Sequence, residues 1–133
     1  MSRTDHKDIT IGTLAPMRNA PDYLKQIKHH GFESYELTMW AHIDDNDLPM
    51  IAREVQDEIA GIAVISSVGL YGNPLQDEKT ARDWETVIKS AKLFGARVVC
   101  GFAGALEDKP VDESMPKFKE VFGHLAKVPM ARE

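Results

Sequence analysis

The sequence predicts an α/β fold built from four strand–helix units. Two observations carry this. Short β-branched or apolar runs alternate four times with longer stretches whose apolar residues recur at helical spacing. Each helical stretch closes on a glycine or a proline, and strand starts recur roughly every 25–35 residues. Strands that alternate with amphipathic helices pair in parallel through right-handed crossovers. Two arrangements fit: an open doubly wound sheet, or half of an eight-unit barrel. The doubly wound sheet calls for Gly-x-Gly-x-x-Gly after its first strand, and Gly12 to Met17 does not supply it.

The first strand is expected at residues 9–14, where Ile9, Thr10 and Ile11 favour extended backbone. Pro21 suits a first helical turn and Asp22 favours the positive helix end. Tyr23, Leu24 and Ile27 supply that helix's apolar face, and Gly31 ends it. The second strand is residues 34–40, with Tyr35, Leu37 and Met39 on one face and Ser34, Glu36, Thr38 and Trp40 on the other. Asp47 is an N-cap and Pro49 a first-turn residue of the second helix, whose stripe is Met50, Ile51, Val55 and Ile59, stopped by Gly61.

Residues 62–77 form the third strand and its exit. Four apolar residues open it, the loop carries Tyr71, Gly72, Asn73 and Pro74, and a helix start is reached at Asp77. The third helix is expected over about 80–95, with Trp84, Val87, Ile88 and Ala91 as its stripe. The fourth strand and its exit are residues 97–104. A fourth helix, capped at Ser114 or a neighbour, buries Phe118, Val121, Phe122 and Leu125 and ends at Pro129. Residues 1–8 are expected as a flexible tail, 9–128 as the domain and 129–133 as a C-terminal tail.

The chain's 133 residues suffice for one domain with a core. It has no apolar run approaching the roughly 20 residues of a membrane span and no apolar signal core near its start. One cysteine, Cys100, excludes an internal disulfide and fits a reducing cytoplasm. The net charge of −5 opposes a broad nucleic-acid face, so neither nucleic acid nor membrane is an expected partner.

Four segments resemble the sugar phosphate isomerase/epimerase family: Ile11-Gly12-Thr13, Tyr35-Glu36-Leu37-Thr38, Gly69 to Leu75, and Val98 to Gly104. The resemblance runs from about Ile9 to Lys127, and the Gly72-Asn73-Pro74-Leu75 loop is its most specific part. It implies a xylose isomerase-like TIM barrel, related to the endonuclease IV type of abasic-site nuclease. Members are about twice this length, with eight strands. They hold a divalent metal (Mn, Mg or Zn) through Glu, Asp, His and Glu side chains on strands five to eight. The implied object is therefore a truncated (βα)4 half of a TIM barrel: a parallel four-stranded sheet with helices on its outer face, part of a substrate pocket and no metal cage. Where many family loops continue with histidine, this chain has Gln76.

Several residues carry candidate chemistry. Glu36 alternates away from Tyr35 and Leu37, so it faces the barrel interior as a pocket acid, a group orienting metal ligands, or a structural hydrogen-bond hub. Tyr71 and Asn73 lie at the C-terminal end of the third strand, the functional face of such barrels, and can stack on or hydrogen-bond a sugar; a plain turn is the simpler use of Gly-Asn-Pro. Trp40 and Phe102 are expected to wall the same pocket. His42 with Asp44, Asp45 and Asp47 is the one loop cluster that could approach a metal, although a solvated loop with an N-cap explains it better. Cys100 is expected as a small core residue.

Three functions fit these residues. The first is an isomerase or epimerase moving a proton beside the carbonyl of a small sugar or sugar phosphate, active only when the barrel is completed. The second is a non-catalytic half-barrel that forms a homodimer through its exposed sheet edges. The third, a nuclease, is opposed by the acidic charge and by the lack of histidines ending strands three and four.

Overall fold

The structure, a computed structural model, describes residues 9–130; the expected N-terminal tail and the last three residues lie outside them. Four parallel strands form one sheet in the order β1 (Gly12–Pro16), β2 (Ser34–Trp40), β3 (Val64–Tyr71) and β4 (Val99–Gly101). Between and after them run α1 (Ala20–Ile27), α2 (Leu48–Ile59), α3 (Glu78–Ser90) and α4 (Val111–Leu125). This sequential order separates the doubly wound sheet from the half-barrel. A doubly wound sheet reverses direction at a switch point and puts helices on both faces. Here the strands advance steadily, and α1 packs on α2, α2 on the turn after α3, and α3 on α4, so the helices line one face. The fold is a (βα)4 half-barrel-like unit.

The core lies between that face and the helices. Tyr35, Leu37, Met39, Val68 and Leu70 from the strands meet Leu24, Ile51, Val55, Ile59, Val87 and Phe94, all buried. Burial of each large side chain contributes about 2–3 kcal/mol before entropy is counted. The alternation expected for β2 is found, as are the Asp47 cap on Met50 N (3.2 Å) and the left-handed stops Gly31, Gly61 and Gly95.

Several boundaries moved. β1 starts three residues later than expected, and Ile9 and Ile11 are exposed. Pairing needs a partner, and β2 begins at Ser34, which fixes Gly12 opposite it; β-branched composition alone cannot set that register. β4 keeps only three paired residues. α3 starts on the Asp77 cap, whose Oδ1 accepts from Lys79 N at 3.0 Å, and its last turn tightens into a 3-10 turn at Ala91–Phe94. α4 begins at Val111, so Ser114 is not its cap. The Ser114 hydroxyl instead accepts from Leu106 N at 2.9 Å and holds the preceding loop. Tyr23 and Met50 lie outside their buried stripes, which Ala20 and Leu24, and Leu48 and Ala52, complete.

A β-bulge in β3 decides which side chains reach the uncovered face of the sheet. Tyr35 pairs with Ile65, but Glu36 pairs with Ser67, leaving Ser66 as the extra residue. The bulge resets the alternation: Ile65, then Val68 and Leu70, point to the core, while Ser67, Gly69 and Tyr71 point to the uncovered face.

Candidate functional site on the open sheet face

The face turned away from the helices carries Leu14 from β1, Glu36, Thr38 and Trp40 from β2, Ser67, Gly69 and Tyr71 from β3, and Cys100 from β4. Glu36 is at its centre. One carboxylate oxygen accepts from Ser67 Oγ at 2.6 Å and the other from Tyr71 Oη at 2.6 Å. Cys100 lies opposite Gly69 in the register, near enough for its thiol to favour the charged form of Glu36. Cys100 is thus half-buried on the open face, not in the core as expected, because the short β4 places it one position out of phase with Val99.

Partial burial pushes the Glu36 carboxyl up, but the bonds donated by Ser67 and Tyr71, with the nearby Cys100 thiol, outweigh it and hold the group below the usual carboxylate range. Glu36 is therefore an ionised acceptor at neutral pH, not a proton-holding acid. The same bond to Glu36, with some burial, pushes the Tyr71 phenol up to about 12, so Tyr71 remains a donor. The Cys100 thiol is raised by burial and by Glu36.

Gly69 makes the Tyr71–Glu36 contact possible. Tyr71 sits two residues beyond Gly69 on the same face and lies back over it; a Cβ at Gly69 would stand 2.5 Å from Tyr71 Cε2. Trp40 and Phe102 flank Tyr71, with ring centroids 5.7 and 5.1 Å from it. Both are open to solvent, Trp40 at 73% and Phe102 at 52%. Just past Trp40, Ala41 adopts φ 62°, a left-handed conformation uncommon for a residue with a Cβ. Ala41 N donates to Tyr71 O at 2.8 Å and Ala41 O accepts from Thr80 Oγ1 at 3.0 Å, which hold the turn.

Asn73 is placed beside this group but its amide is in use. Its Oδ1 accepts from Leu75 N and Ala105 N, each at 3.2 Å, and its Nδ2 donates to Ala105 O at 2.7 Å, tying the exits of β3 and β4 together. Gln76 joins the same brace by accepting from Glu107 N at 3.1 Å. His42 Nε2 sits 2.6 Å from Asp77 Oδ2, facing the start of α3. Asp45 pairs with Arg18 at 2.6 Å, Asp44 with Lys79 at 3.8 Å, and Asp47 caps α2, so this loop cluster disperses. Among the described residues no three of His, Cys, Asp or Glu converge as metal ligands.

Trp40, Tyr71, Phe102 and Glu36 thus come together, while Asn73 and His42 serve the loops around them. Two members of the cluster had no advance signal as ligand-face groups, Ser67 and Cys100. The bulge orients Ser67, and nothing in local sequence marks a bulge at Ser66. What stands here is a half-barrel-like unit with a hydrogen-bonded carboxylate under an aromatic row. Compared with protein-family models, curated proteins and solved structures, the chain has no match. Among the described residues, no helix is long and apolar enough to cross a membrane.

Proposed function

We propose that this chain provides the substrate-recognition half of an isomerase- or epimerase-type barrel, and that its open face holds a small sugar. The observation that supports this is the ionised Glu36 carboxylate fixed beneath Tyr71, with Trp40 and Phe102 exposed alongside. A carboxylate with spare lone pairs accepts from sugar hydroxyls, and aromatic faces cover the apolar C–H face of a sugar ring. Glu36 orients the ligand; the group that moves a proton beside the carbonyl belongs to strands that would complete the barrel. Reducing conditions of the cytoplasm suit the single thiol.

Saturation-transfer NMR against a panel of aldoses and ketoses tests the sugar-binding step. The expected result is transfer to at least one sugar that Trp40→Ala removes. No transfer to any sugar overturns the proposal.

A second proposal, self-association, is favoured by a separate observation. β1 and β4 each present an edge without a strand partner among the described residues, and Leu14 and Val64 lie on the open face at 59% exposure each. Bare parallel edges pair readily. Sedimentation velocity should show a dimer; a monomer unchanged with concentration overturns it.

A further inference from the structure

The charge layout of this face and of its rim points to a narrower ligand class, and this inference rests on the sugar-binding proposal above. Among the strand residues that face away from the helices, Glu36 is charged and no lysine, arginine or histidine joins it. Near the C-terminal ends of the strands Arg18 sits against Asp45 and Lys79 against Asp44, while Lys109 is exposed in the loop after β4. Helix N-termini are the usual cradle for a phosphate at this end of a βα fold. Here each carries its own acid: Asp22 in the first turn of α1, the Asp47 cap of α2, the Asp77 cap and Glu78 of α3, and Asp112 and Glu113 of α4. A phosphate placed over this face therefore meets the Glu36 carboxylate, and every helix N-terminus at this end brings an acid of its own.

The hydrogen-bond polarity points the same way. Ser67 and Tyr71 both spend their protons on Glu36. What Glu36 itself offers a ligand is acceptor capacity on an anion, which a hydroxyl or an ammonium satisfies and a phosphate dianion does not. The exposed indole of Trp40 adds an attractive face for a cation.

We propose that the open face selects amino sugars, polyhydroxyl rings bearing an ammonium group, and rejects phosphorylated sugars, with Glu36 as the specificity-determining residue. The test is a titration with matched triplets: a hexose, its 2-amino-2-deoxy derivative and its 6-phosphate, followed by NMR at low ionic strength. The amino sugar should bind about threefold or more tighter than the parent, and the parent tighter than the phosphate by a similar factor, as expected for unit charges near one partly exposed carboxylate. Glu36→Gln should bring all three within about twofold, since it keeps shape and removes the charge. Should that variant fail to fold by circular dichroism, added salt supplies the same readout on the unaltered protein by compressing the series. A phosphate that binds as tightly as its parent hexose overturns the charge rule, as does an order unmoved by both Glu36→Gln and salt. Absence of binding by every member of every triplet overturns the sugar-binding proposal itself.

Discussion

The two faces of this sheet are made by alternate residues of the same strands, yet they obey different physics. On the helix side Tyr35, Leu37, Met39, Val68 and Leu70 are packed to 4% exposure or less. On the other side Leu14 and Trp40 stand in solvent while Glu36 and Tyr71 are half-buried, and order comes from directed bonds to one carboxylate. Close packing is non-directional and tolerates exchange among residues of similar volume. The Glu36 cluster is directional: it depends on a bulge that presents Ser67 and on a glycine that lets Tyr71 fold back. One face holds the fold together, and the other specifies a site.

Truncations contrast the faces most strongly. Leu37→Ala should destabilise the protein by about 3 kcal/mol in chemical denaturation, because it leaves a cavity in a fully buried position. Leu14→Ala, opposite Glu36 in the register, should change stability by no more than about 0.5 kcal/mol. A large, concentration-dependent loss for Leu14→Ala would instead show that another copy covers the open face in solution.

An intermediate effect is expected at Gly69. Gly69→Ala should destabilise by about 1 kcal/mol, since the Tyr71 ring can swing aside at the expense of its bond to Glu36. The sharper readout is the phenol. Among Tyr23, Tyr35 and Tyr71, the Tyr71 phenol should ionise near its raised value of about 12 in the parent and fall toward the ordinary value in both Gly69→Ala and Glu36→Gln. A raised folded value means that the bond's contribution is fully present below pH ~10 and is lost as pH rises through about 12. Glu36 acts with the opposite sense: its folded value is lowered, so its contribution is present above the ordinary carboxylate range and is lost on acidification through the folded value. Ultraviolet titration of the phenolates checks the first statement, and denaturation at acid pH with and without Glu36→Gln the second.

An effect of opposite sign is expected on the packed face. Tyr35 Oη is buried with no hydrogen-bond partner among the described residues, and burial raises its phenol. Tyr35→Phe should be neutral or stabilising by up to about 1 kcal/mol, because it removes an unsatisfied hydroxyl while keeping the ring's packing. A loss of more than about 1 kcal/mol would show that the hydroxyl has a bonding role.

Much of the fold was legible because helices and strands advertise their buried sides locally. β2 was readable end to end from its alternation, the Asp47 cap from its position before Pro49, and the helix stops from Gly31, Gly61 and Gly95. The site was legible in part. Glu36 and Trp40 could be assigned to a face of β2 by counting in twos, and Tyr71 and Phe102 were marked by their places at the exits of β3 and β4. Asn73 and His42 carry the same residue chemistry as ligand-binding groups, but whether an amide or imidazole meets a ligand or a neighbouring loop depends on residues more than 30 positions away, Ala105 and Asp77.

By itself, then, the sequence determined the four strand–helix units, which face of β2 is apolar, and an acidic chain with one thiol, since each comes from local period or composition. Only the tertiary structure decided where β1 begins, that the sheet winds in one direction, and that Ser67 and Cys100 join Glu36. The physical reason is register. A strand's side chains alternate regardless of its partner, but a single bulged residue at Ser66 reverses which of them meets Glu36 and which, Val68 and Leu70, enter the core.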